Sequence, residues 1–288
     1  MQPVVLMFCL GGVASPVHGQ QDISVVTTIR PLEFISAAIV GESGSSSIIG
    51  LNDSPHSFSL TPQTRLALEQ ADILLWIAPQ FEIYLAELFA DFKTEKTVIT
   101  AAELPGLTRH EFSDGQLDPH LWLDPDNGIR IATALANELS SMYPDQKQRF
   151  ASRLADFEAE ISRRWAELQQ DFTGYSNTSY LVYHEAYQYF ESSVGISNRG
   201  ALVHNPELEP GMREVLELRN LVNTSKPSCI ILEPDSSAAL VDTLVQNPAI
   251  PRVAIDLLGY DIASSATAYV DLINLVASGF NECLAMEN

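Results

Sequence analysis

The chain has 288 residues and a formal charge of −21, from 37 acidic and 16 basic side chains, enough length for two cores of ordinary size. That charge repels phosphate backbones and anionic lipid surfaces, which argues against nucleic acid and anionic membrane surfaces as partners. With 46% hydrophobic and 18% charged residues the composition is globular, most of the acids reading as a solvated surface.

Residues 1–19 read as an export signal. Val4-Val5-Leu6-Met7-Phe8-Cys9-Leu10 opens an apolar run, small residues follow, and Val17-His18-Gly19 resembles a cleavage site. The basic residue that usually precedes such a run is missing. Leu6-Met7-Phe8-Cys9 admits a lipoprotein reading, but the apolar stretch before Cys9 is short for a signal core. Removal of the signal leaves Cys229 and Cys283. In an exported chain that pair suggests one disulfide; two buried thiols are the alternative.

The mature chain then alternates strand-like and helix-like segments. Ile23-Ser24-Val25-Val26-Thr27-Thr28-Ile29 is β-branched, and Pro31 opens a helix to about Val40. Ser47-Ile48-Ile49-Gly50-Leu51 reads as a second strand, and residues 62–71 as a helix with proline in its first turn. Asp72-Ile73-Leu74-Leu75-Trp76-Ile77 is a continuous apolar run, as in a strand buried on both faces. A helix over 81–91 and the strand Thr97-Val98-Ile99-Thr100 complete a βα alternation, the pattern of a parallel sheet covered by helices.

The middle is helical. Residues 129–142 form one expected helix, and residues 145–172 a second. In the latter, Phe150, Leu154, Phe157, Ile161, Trp165 and Leu168 step by three or four along one face. A helix this long reads as a strut between two lobes. The alternation restarts with a strand over 180–183, a helix over 186–194 and a loop over 200–211. A helix over 212–223, Ser228-Cys229-Ile230-Ile231-Leu232, a helix over 236–246, Arg252-Val253-Ala254-Ile255 and a helix over 267–284 follow. The expected fold is α/β: two Rossmann-like lobes, each a mainly parallel sheet flanked by helices, joined by one long helix. The expected division is 1–19 signal, 20–143 N-terminal lobe, 144–173 linking helix and 174–288 C-terminal lobe.

Three histidines stand at strand ends or in loops: His56 in Ser54-Pro55-His56, His120 in Asp118-Pro119-His120, and His184 closing Tyr180-Leu181-Val182-Tyr183-His184. They are spaced 64 residues apart at each step, so only the fold can unite them. Ligands of open α/β sheets sit beyond the carboxyl ends of the strands, where His56, His184 and Asp256 all fall. Three converging imidazoles suit zinc, with Asp256 or a water completing a tetrahedron. His184-Glu185-Ala186-Tyr187-Gln188 is no zinc-protease helix, because Gln188 stands where a second histidine would be needed. No G-x-S-x-G motif and no P-loop occur. His110 reads as a surface residue, His204 as a loop residue, and Trp122 as packing behind the site.

Three segments resemble the metal-ligand motifs of the zinc-binding solute receptors of bacterial ABC zinc importers, the ZnuA family. They are Ser54-Pro55-His56-Ser57-Phe58-Ser59-Leu60-Thr61-Pro62, Asp118-Pro119-His120-Leu121-Trp122-Leu123-Asp124-Pro125 and Tyr183-His184-Glu185-Ala186-Tyr187-Gln188-Tyr189-Phe190. Residues 203–211, Glu233-Pro234 and Ile255-Asp256-Leu257-Leu258-Gly259 resemble further segments in the same order. The resemblance implies a zinc site in the cleft between the lobes, with His56 and His120 from one, His184 from the other, and Asp256 available beside it. It also implies a bridge between Cys229 and Cys283. One departure stands out: the long histidine-rich loop of many such receptors is replaced here by the short stretch 108–117, with the single histidine His110.

The expected function is therefore a monomeric periplasmic receptor, not an enzyme, that binds Zn²⁺ and delivers it to a membrane permease driven by an ATPase. Competing readings are a manganese or iron receptor of the same architecture, a hydrolase using an open three-histidine zinc, and an adhesin-like surface protein. The long linking helix predicts a modest movement of the lobes rather than wide hinge closure.

Overall fold

The computed structural model describes residues 23–49, 60–203, 210–247 and 249–287. The expected signal segment 1–19, with Cys9, and the residues His56 and His204 lie outside the described residues. Two four-stranded, fully parallel sheets carry the fold. The first has the order β2-β1-β3-β4, built from β1 (Ile23–Thr27), β2 (Gly44–Ile48), β3 (Ile73–Trp76) and β4 (Thr97–Thr100). The second repeats that order as β6-β5-β7-β8, from β5 (Tyr180–His184), β6 (Ala201–Val203), β7 (Cys229–Leu232) and β8 (Arg252–Ala254). The two lobes thus share a topology that leaves no repeat in the sequence.

Helices cover both faces of each sheet, which explains the unbroken apolar runs of β3 and β5. In the first lobe α1 (Arg30–Val40) packs on one face, while α2 (Pro62–Gln70) and α3 (Ala86–Phe92) bury Leu68, Phe89 and Phe92 against Val26, Leu74 and Trp76 on the other. In the second, α7 (Met212–Ser225) and α8 (Ala238–Leu244) close the outer face around Leu181, Ile230 and Val241, and α9 (Ala268–Leu284) closes the inner one. The inner faces share one continuous core with α4 (Pro125–Met142) and α5 (Lys147–Asp171).

Helix α5 has 25 residues and so runs about 38 Å. Its buried residues Phe150, Phe157, Ile161, Trp165 and Leu168 are five of the six in the predicted stripe. Arg153 anchors its first half by donating to Val40 O, to Ile39 O at 3.4 Å and to Ser43 Oγ at 3.0 Å, which satisfies carbonyls left open at the end of α1. Trp165 and Leu168 lie in the core shared with α6 (Gln188–Val194), and Arg164 donates to Asn274 of α9. The strut is therefore bonded to both lobes.

Several boundaries differ from the sequence expectation for local reasons. Helix α4 begins at Pro125, four residues early, because the Asp124 carboxylate caps it by accepting from Asn127 N–H at 2.9 Å. The helix expected from Phe81 is delayed to Ala86. The Glu82 side chain turns back onto the N–H groups of Ile77 and Ala78, and a single 3-10 turn intervenes. Strand β2 uses the serine-rich stretch Gly44–Ile48, an edge strand whose polar side chains gave no apolar signal. Strand β6, only three residues long, falls inside the stretch expected as a loop.

Cys229, at the start of β7, is bonded to Cys283 in the last turn of α9, with Cα atoms 5.5 Å apart. The disulfide, and not two free thiols, is what the fold supplies.

Candidate metal centre

The second sheet places His184 at the end of β5 and Glu233 just past the end of β7. These neighbouring strands leave toward opposite edges of the sheet, so the point between them is a topological switch point, where open α/β sheets bind ligands. The Glu233 carboxylate spans it. Its Oε2 lies 2.7 Å from His184 Nδ1, and its Oε1 accepts from the Tyr187 hydroxyl at 3.1 Å. All three side chains are buried. Burial first, and then the facing carboxylate, push the Tyr187 hydroxyl well above its usual pKa, so it stays a donor.

His120 arrives from the first lobe on the turn that leads into α4. The Asp118 carboxylate Oδ1 lies 2.7 Å from His120 Nδ1 and accepts the His120 backbone N–H at 3.0 Å. Phe81 and Trp122 flank the imidazole, with ring centroids 6.3 and 5.2 Å away. Trp122 is buried, and its Nε1 donates to Leu257 O of the second lobe at 3.2 Å, so it packs behind the site as the sequence suggests.

These supports aim the two rings at one point. A carboxylate on Nδ1 fixes the proton there and turns the Nε2 lone pair outward, the arrangement found in metal-ligating histidines. The two Nε2 atoms stand 3.3 Å apart. Two nitrogens bound at about 2.05 Å to one tetrahedral ion would be separated by about 3.3 Å. The spacing of the imidazoles is thus already that of a zinc pair, with one ring from each lobe.

Asp256, just past β8, is engaged locally. Its Oδ1 accepts the N–H groups of Leu258 and Gly259, both at 2.9 Å, and its Oδ2 that of Tyr260 at 2.5 Å. The turn it holds has Gly259 at φ +69°, and Arg30 of the first lobe donates to Gly259 O at 2.9 Å. Among the described residues, no group of three His, Cys, Asp or Glu side chains is placed to hold a metal ion; the described residues supply the pair His120 and His184. The residues that sequence reasoning left without a role are Asp118 and Glu233. Both sat inside quoted segments, Asp118 two positions before His120 and Glu233 after a strand, but only their contacts reveal what they do.

Residues 25–283 match the family described as zinc-uptake complex component A, periplasmic. The chain belongs to this family. Its expected bound ion is therefore zinc, and its class is the periplasmic binding component of an ABC uptake system. The high-affinity zinc uptake system protein ZnuA of Haemophilus ducreyi is 26% identical, over 90% of this chain and 93% of its own. The ZnuA of Yersinia pestis is 25% identical, over 91% of each. Among solved structures, the laminin-binding protein Lmb of Streptococcus agalactiae superposes with a TM-score of 0.80 at 21% identity, covering 92% of this chain and all of that one. That protein is described as bifunctional, with adhesin and metal transporting activity. A crystal structure of ZnuA gives 0.78 at 23% identity, with 92% and 100% coverage. At these identities the solved structures establish the shared fold. Among the described residues, no helix is long and apolar enough to cross a membrane.

Proposed function

We propose that the protein captures one Zn²⁺ between its lobes through His56, His120 and His184 and hands it to the permease of an ABC importer. The observation that carries this is the facing pair of imidazoles, one from each lobe, each with a carboxylate on Nδ1. His56 precedes α2 as the third nitrogen donor, and Asp256 or a water fills the fourth position. For Asp256 to reach the ion, its carboxylate would exchange turn N–H groups for metal, so water is the readier occupant. The division into lobes at 20–143 and 174–288 around the linking helix 144–173 belongs to the same proposal. So do export by residues 1–19, a monomeric state and the absence of catalysis.

Imidazole nitrogen favours zinc over manganese, whose sites are richer in carboxylate and water. Equilibrium dialysis with metal analysis, repeated with manganese in excess, tests the reading. The expected result is one zinc per wild-type chain, none in the His56/His120/His184 triple alanine variant, and retention of zinc against manganese. Displacement of zinc by manganese would support the competing metal reading, and zinc uptake by the triple variant would refute the proposed ligands.

A further inference from the structure

The stretch 108–117, expected at the surface as a shortened loop, is a small hairpin that crosses between the lobes. Phe112 N–H donates to Gln116 O at 2.8 Å and Asp118 N–H to His110 O at 2.9 Å, with an antiparallel bridge between Glu111 and Leu117. Its base is fastened to the first lobe by Asn127 of α4. That side chain accepts Thr108 N–H at 2.9 Å and donates to Thr108 O at 2.9 Å and Leu121 O at 3.2 Å. Its other side is held by α6 of the second lobe. The buried Tyr189 hydroxyl donates to Asp118 O at 2.9 Å and accepts His110 N–H at 3.2 Å. The His110 ring stands edge-on to Tyr189, with centroids 4.7 Å apart, and its Nε2 lies 3.0 Å from Ser192 Oγ.

Tyr189 therefore grips the residue whose carboxylate orients His120. It sits five residues after His184 at the start of α6, so the consecutive elements β5 and α6 of the second lobe carry that lobe's imidazole and grip the backbone behind the imidazole of the other. Burial pushes the Tyr189 hydroxyl up to about 12, which keeps it a proton donor across the range in which the protein works.

We infer that Tyr189 is a positioning residue for zinc, acting through Asp118 on His120, and that His110 is the outer half of the same cross-lobe clasp. The inference rests on the reading of His120 and His184 as ligands. Loss of the hydroxyl releases the Asp118 carbonyl, lets the His120 ring drift from the 3.3 Å spacing, and opens an easier path for the ion to leave. A part that only stabilised the fold would leave the affinity and release rate of the folded protein unchanged.

The test compares the wild type, Tyr189→Phe and His110→Ala as full chains. Zinc affinity is read by chelator competition, zinc release by mixing with excess chelator, and folding of the metal-free protein by its melting curve. Tyr189→Phe is expected to bind one zinc about tenfold more weakly and to release it faster, the scale seen when a residue supporting a metal ligand is lost. His110→Ala is expected to shift both quantities in the same direction by less. The Co²⁺-substituted variants are expected to keep tetrahedral absorption bands, since no ligand is removed. Affinity and release indistinguishable from wild type in the folded variants would overturn the inference. Should Tyr189→Phe fail to fold, an unchanged release rate in His110→Ala overturns it alone. A wild type that binds no zinc would instead overturn the ligand reading, and the inference with it.

Discussion

At the scale of single residues, the proposed site rests on a pair of imidazoles held by carboxylates. Asp118 and Glu233 each fix a ring through Nδ1 at 2.7 Å, so removing either charge should loosen the metal without removing a ligand. Asp118→Asn and Glu233→Gln are each expected to weaken zinc binding by about 10- to 100-fold, measured by chelator competition. Unchanged affinity in both would show that the rings need no support. Asp256 makes a different prediction. Three backbone N–H groups converge on its carboxylate, so Asp256→Ala should cost about 2 kcal/mol of metal-free stability in urea unfolding. A variant of wild-type stability that had lost zinc would mark Asp256 as a ligand instead. His120 and His184 drew notice in the sequence because they stand in a loop and at a strand end, and the fold brings their rings together. Their carboxylate partners did not, since Asp118 and Glu233 meet them through turns and through pairing of β5 with β7, which no local pattern encodes.

At the scale of elements, two close fits decide stability. Gly128 in α4 lies against α9, where an added Cβ would fall 2.3 Å from the Tyr269 hydroxyl, itself donating to Trp122 O at 2.7 Å. Gly128→Ala gains about 1 kcal/mol of helix propensity but should lose about 1–3 kcal/mol through overpacking and a displaced Tyr269. Urea unfolding should show net destabilisation, and a stabilised variant would contradict the packing argument. In the first lobe, Glu82 is fully buried at the end of β3, where Thr28 and the N–H groups of Ile77 and Ala78 donate to it. Burial dominates those bonds and raises its carboxyl from 4.5 to about 7. The folded state therefore holds a proton that the unfolded chain has released, and stability falls as pH rises from about 4.5 through about 7. Between pH 5 and 8 the wild type should lose more stability than Glu82→Gln; parallel curves would contradict this. The helices and buried strands that these residues join were readable from periodicity. The starts of α3 and α4 were not, because side chains of Glu82 and Asp124 set them by bonding to backbone. The second strand was read from Ser47, three residues late, because the serines that open β2 pair at a sheet edge and give no apolar signal.

At the scale of the whole molecule, two sheets of the same order share one continuous apolar core with the helices between them. Cross-lobe bonds reinforce it: Arg30 to Gly259 O at 2.9 Å, Ser264 to Glu33 at 2.6 Å and Trp122 to Leu257 O at 3.2 Å. A large apolar interface of this kind resists wide hinge motion. The radii of gyration of the metal-free and zinc-loaded proteins, from solution scattering, should agree within about 1 Å; a change of several ångströms would refute a rigid pair of lobes. The Cys229–Cys283 bridge closes a separation of 54 residues, worth about 4 kcal/mol by chain entropy, so its reduction should lower the unfolding midpoint without abolishing zinc binding. The doubled architecture was legible as two βα alternations around one long stripe. What the sequence could not convey was that the lobes meet so closely that His120 and His184 already stand at a zinc pair's spacing.

Imidazoles from both lobes are proposed to hold the ion together. X-ray absorption at the zinc edge of the loaded protein, compared with His184→Ala, addresses this directly. The expected result is a four-coordinate shell with three imidazole nitrogens at about 2.0–2.1 Å, reduced by one imidazole in the variant. A shell of sulfur or of oxygen alone, or an identical spectrum in the variant, would contradict it.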